Sequence, residues 1–145
     1  MKSFTLVEVM IVIGLILLLA TLAIPNVLRA RITANETVAI TSLKSIFTSA
    51  QIYKNNNSVY PATLGDLANS NPPYLEEELA CSNQPCFKQG YNFSLRGFRY
   101  SFSATAYPQS FGHTGRRSFY IDESGVLKYC DTLNCDPSQG TILQE

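Results

Sequence analysis

From Phe4 to Ile24 the chain carries a single charge, Glu8, within an otherwise almost wholly apolar run. About 21 residues at 1.5 Å each span roughly 31 Å, close to the hydrocarbon thickness of a bilayer. Length therefore favours a membrane span over a buried core helix. A secretory signal is the alternative, with Ala20-Thr21-Leu22-Ala23 as its cleavage site. Only Met1-Lys2-Ser3 precedes the run, however, and Pro25-Asn26-Val27-Leu28-Arg29 after it reads as more helix. An ionised side chain inside a span costs roughly 2.5–3.5 kcal/mol at the helix centre, so Glu8 calls for a partner. The span itself contains no second titratable group to supply one.

Beyond Pro25, Leu28, Ile32, Ala39, Leu43, Ile46, Phe47, Ala50 and Tyr53 recur at spacings of three and four, with polar residues, Glu36 among them, between. This pattern predicts an amphipathic helix continuing the span, a rod of roughly 75 Å from about Phe4 to Tyr53. Asn55-Asn56-Asn57-Ser58 should end it. Two residues weaken the rod. Pro25 removes an N–H and crowds the carbonyl of Thr21, so a kink or local unwinding is expected there. Gly14 lowers helix propensity by about 1 kcal/mol relative to alanine. The segments are then 4–25, the membrane half of the helix, 26–55, its amphipathic half, and 56–145, a head.

The head reads as α+β. Tyr60–Leu67 and Pro72–Leu79 suggest a loop with short helical turns. Strands are expected at Tyr91–Leu95, Phe98–Ala106, Ser118–Ile121 and Val126–Tyr129, and in the first two apolar and polar residues alternate as in a sheet with one wet face. Arg96-Gly97 and Asp122-Glu123-Ser124-Gly125 supply hairpin turns. The fold class is a long kinked N-terminal helix packed on a small antiparallel sheet.

The four cysteines form two close pairs, Cys81 with Cys86 and Cys130 with Cys135. Two local disulfides are the preferred reading, each worth about 2 kcal/mol as a short loop closure. Such staples suit a thin-cored domain outside the cytoplasm. Crossed pairing and a four-cysteine zinc site are the alternatives, and a membrane-tethered redox or metal-binding protein would follow from the latter. Charge is balanced, with 11 Lys and Arg against 11 Asp and Glu, and no basic cluster exceeds Arg116-Arg117, which argues against nucleic acid as a partner. The single histidine, His113, sits in a loop-like stretch without a nearby cysteine or suitably spaced acid, so no enzymatic constellation and no cofactor is expected. Asp122, Glu123, Asp131 and Asp136 leave calcium as a minor option, and Glu76-Glu77-Glu78 reads as a solvated face. Eight tyrosines and eight phenylalanines could stack on sugars, but most fall on the alternating strands and read as packing.

The string Phe4-Thr5-Leu6-Val7-Glu8-Val9-Met10-Ile11-Val12-Ile13, followed by Ala23-Ile24-Pro25-Asn26, resembles the type IV pilin and type II secretion pseudopilin family. The resemblance implies a structural, non-enzymatic subunit of a helical homopolymer, a pilus or alternatively a secretion pseudopilus. It implies residues 1–3 as a short leader, cut by a prepilin peptidase between Ser3 and Phe4, with N-methylation of Phe4. The residue before the cut is normally glycine in the family; here it is Ser3. Glu8 would pair with the amino group of Phe4 on a neighbouring subunit, and the segment between Gly14 and Pro25 could unwind in the filament. Implied partners are the inner-membrane assembly platform, minor pilins, and the membrane itself before assembly. The head would be periplasmic, and the filament extracellular or, as a pseudopilus, periplasmic.

Overall fold

A computed structural model describes residues 4–79, 81 and 83–144. It divides into two units, Met1–Arg31 and Ile32–Glu145. Helix α1, Leu6–Asn57, contributes to both. Its first part is entirely helix and carries no tertiary core. The helix runs unbroken through Gly14 and Pro25, the position where a kink or local unwinding is expected. Local side-chain bonds to the backbone line this stretch: the Thr21 hydroxyl donates to the Leu18 carbonyl at 2.7 Å and the Asn26 amide to that of Leu22 at 3.2 Å.

The second unit is a sheet covered on one face by the remainder of α1. Ile32, Ala39, Leu43, Ile46 and Ala50 are buried, and the last four share one cluster with the sheet. Alanine and serine at 39, 42, 49 and 50 keep this helix face low. The helix ends at Asn57, within the Asn55–Ser58 stretch expected to stop it, where Ser58 turns into the left-handed region (φ 61°) and its N–H reaches the Lys54 carbonyl at 2.7 Å. Helix α2, Leu64–Ala68, follows, its entry fixed by the Asp66 carboxylate accepting the Thr63 N–H at 2.9 Å.

Six antiparallel strands lie in sequence order: β1 Cys86–Lys88, β2 Tyr91–Gly97, β3 Phe102–Pro108, β4 Ser118–Asp122, β5 Leu127–Cys130 and β6 Thr141–Ile142. Tyr91, Phe93 and Leu95 of β2, Phe102, Ala104 and Ala106 of β3, and Phe119 and Ile121 of β4 form the inner face. Two expectations need correction. Arg96 and Gly97 belong to β2 and do not form the turn. Gly97 is required because a Cβ there would lie 1.8 Å from the Pro61 carbonyl oxygen, and its N–H donates to Ala62. The turn is instead Phe98–Ser101, closed by the Phe98 N–H on the Ser101 carbonyl at 2.8 Å, so β3 starts at Phe102 and Phe98 and Tyr100 are exposed. Strands β1 and β6, three and two residues long, were not among those expected.

Candidate assembly surface

Helix α1 opens on Thr5, whose hydroxyl accepts the Glu8 N–H at 3.3 Å while its carbonyl accepts that of Val9. Thr5-x-x-Glu8 thus has capping-box spacing, and an acid in the first turn suits the positive end of the helix dipole. Glu8 therefore already has a local role at the helix entrance. Around it, every large apolar side chain from Phe4 to Ile24 is exposed, and Phe4 itself is 80% accessible. This helix is long and apolar enough to cross a membrane. Single-chain exposure on this scale marks a surface meant for lipid or for other helices. Among the described residues no cation pairs with the Glu8 carboxylate; Ser3, the residue before the expected cut, lies outside them. Gly14 is in open space: a Cβ there would meet nothing within 4 Å. Packing within the chain gives no reason for a glycine at that position.

A second polar site lies at the start of the head and was missed from the sequence. Glu36 is 5% exposed and occupies a stripe position, four residues after Ile32 and three before Ala39. Its Oε1 accepts the backbone N–H groups of Arg116 and Arg117 at 3.0 and 3.3 Å, and its Oε2 lies 2.8 and 2.6 Å from Nε and Nη2 of Arg117. Beside it the Asn35 amide donates to the Thr114 carbonyl at 2.9 Å. From the sheet, the buried Tyr91 hydroxyl donates to the Arg117 carbonyl at 2.8 Å, a geometry open only because position 115 is glycine: a Cβ there would sit 2.0 Å from that hydroxyl. Burial pushes the Tyr91 phenol well above its ordinary pKa, with Glu36 adding to the shift and Arg117 opposing it. The strap 110–117 is thereby tied to α1 and to β2. The available signal was a charge on an apolar heptad stripe, where a buried pairing is the ordinary explanation.

The remaining polar residues serve the head itself. Cys81–Cys86 and Cys130–Cys135 are disulfides with Cα separations of 5.6 and 6.4 Å, which commits all four sulfurs and leaves no thiolate for a zinc tetrad. His113 is exposed on the strap. Asp122 accepts the Ser124 N–H and hydroxyl within its own turn, and Asp136 accepts the Ser138 N–H at 2.9 Å. The run expected to be merely solvated is partly paired, since Lys88 reaches Glu76 at 2.7 Å and Glu78 at 3.4 Å. Hydrogen bonding to Glu76 raises the Lys88 pKa, and the same contact lowers that of Glu76.

Comparison with known proteins bears on the exposed helix. No protein-family model matches the chain. It is 32% identical over 129 residues, 88% of its length and 86% of the relative's, to the type IV wide pilus major component PilA4 of Thermus thermophilus. It is 38% identical to the type II secretion system core protein G of Vibrio cholerae over 61 residues, 42% of each chain. The match to the core protein G of Pseudomonas aeruginosa is 38% over 62 residues, 43% of this chain and 44% of that one.

Proposed function

The chain belongs to the type IV pilin and type II secretion pseudopilin family, and from that premise we propose that it is a major structural subunit of a type IV pilus-family filament. The single observation that carries this reading is an apolar helix surface exposed from Phe4 to Ile24 with one carboxylate set into it. In the membrane that surface is covered by lipid. In the filament it is covered by the same helices of other subunits, joined by repeated heterologous contacts. Prepilin peptidase removes residues 1–3, and the new, methylated amino group of Phe4 becomes the cation that meets Glu8 of a neighbour. Two opposite charges in a low-dielectric core offset each other's burial only when aligned, so the pair fixes the axial step of each incoming subunit. Before assembly the subunit sits in the inner membrane with its head periplasmic, in contact with an assembly platform and minor pilins.

A pilus is favoured over a secretion pseudopilus because the likeness to the wide-pilus component runs through helix and head alike, whereas the likeness to core protein G covers under half of the chain. The role of the helix is tested with Glu8→Leu. The variant should insert into membranes and fold its head normally, yet yield no sheared filaments. Normal filaments from that variant would remove Glu8 from the assembly mechanism.

A further inference from the structure

The sheet face opposite the core cluster is a polar cleft. Arg96 faces Ser103 across β2 and β3, and Thr105 faces Tyr120 across β3 and β4. With Tyr107 and Asp136 they line a cavity of about 490 Å³, inside the roughly 300–1,000 Å³ range of small-ligand clefts. A second cavity of about 550 Å³ continues past Arg96 and Tyr107, which border both. The floor is three paired strands, so side chains two strands apart stand about 10 Å from each other.

The chemistry of the lining narrows the occupant. Among the described residues, the Arg96 guanidinium, the Ser103 hydroxyl and the phenol oxygens of Tyr107 and Tyr120 make no hydrogen bond within the chain. Asp136 accepts from Ser138, whose N–H reaches one carboxylate oxygen at 2.9 Å, and a carboxylate with about four lone-pair sites keeps acceptor capacity beyond that. Burial raises both phenol pKa values, with Asp136 adding to each and Asp122 and Glu123 adding to that of Tyr120, while the Asp136 carboxylate itself is exposed. A forked donor, a carboxylate acceptor and hydroxyls that do both are complementary to vicinal hydroxyl groups, each of which donates and accepts. A polyanion is disfavoured, because the two cations at the cleft, Arg96 and Lys128, which sits opposite Tyr120 and donates to the Ser138 carbonyl at 3.1 Å, are offset by Asp136 and by Asp122, Ser103's neighbour on β4. A peptide strand is disfavoured too, since β2, β3 and β4 are paired on both sides and offer no free edge.

We infer that this cleft binds a neutral saccharide of one or two rings. Binding is a property of the head and does not require assembly, so the full-length Glu8→Leu chain tests it without reference to filaments. That chain, held in phosphocholine micelles that carry no sugar, is titrated with lactose, maltose and N,N′-diacetylchitobiose while saturation transfer and tyrosine ring shifts are followed by NMR. At least one should bind with a Kd of about 1 mM. Arg96→Ala and Asp136→Asn should each weaken it about tenfold, and Tyr120→Phe, which keeps the ring and removes one hydroxyl, should weaken it measurably with an unchanged far-ultraviolet circular dichroism spectrum. Glu76→Gln, outside the cleft, should have no effect. No binding by any of the three sugars, binding indifferent to all three cleft variants, or tighter binding of sulfated lactose than of lactose would each overturn the proposal.

Discussion

Glu36 and Glu8 are both acids on the same helix, and their surroundings differ in kind. Glu8 sits at a helix entrance on an exposed face, its backbone N–H bonded to Thr5 and its carboxylate without a cation among the described residues. Glu36 is enclosed, and two backbone N–H groups and a guanidinium take up its carboxylate. Removing one member of a buried charge pair generally costs about 3–5 kcal/mol; since Arg117 is 35% exposed, Arg117→Ala should cost less, about 2–3 kcal/mol. Glu36→Ala should cost at least as much, because it also strands the N–H groups of Arg116 and Arg117. The double variant should fall well short of the sum. A double-mutant cycle by urea unfolding in micelles reads this coupling, and strict additivity would show that the two residues act independently.

At the level of elements, α1 has one part built for its own chain and one part that its own chain does not use. Gly14 belongs to the latter, with nothing near it to forbid a side chain. Gly14→Ala should therefore raise helix stability by about 1 kcal/mol. If assembly requires the 14–25 segment to unwind, the same change should lower filament yield while leaving helix content in micelles equal or higher, as circular dichroism and shearing would measure. Much of this layout was legible in the sequence, because long helical periodicity and the alternation of β2 and β3 are local signals. What escaped was non-local. Arg96-Gly97 looked like a turn because glycine marks turns, yet this glycine answers to Pro61, 36 positions earlier in the chain. Phe98 and Tyr100 continued an alternation that hairpin register interrupts. β1 and β6 are too short to show a period. Glu36 stood on the apolar stripe in plain view, but its partner lies 81 residues away, and no local pattern names it. The cleft on the outer face was equally hidden: alternation assigns residues to that face without revealing that Asp136 folds back over it.

For the molecule as a whole, Tyr91 couples global stability to alkaline pH. Its folded pKa lies above the ordinary phenol value of about 10, so the folded state holds a proton that the unfolded chain releases. The stabilisation is complete below that ordinary value and is lost as pH rises from there through the folded pKa. Tyr91→Phe should cost about 0.5–1.5 kcal/mol at neutral pH through the lost bond to Arg117, yet show a shallower fall in unfolding free energy above pH ~10. A slope identical to that of the parent would place the alkaline sensitivity elsewhere. The sheet has a different kind of global consequence. Every strand pairs only with its neighbours in sequence, and the helix that covers the sheet is synthesised before any of them. As the chain emerges from its N-terminus at about 5–20 residues per second, each new hairpin can dock on helix already made, with no strand waiting for a distant partner. The ties from Asn35 and Glu36 to the strap, 79 to 81 residues downstream, must be delayed. The head can thus be knitted in a single direction, and the buried charge pair is a late stitch.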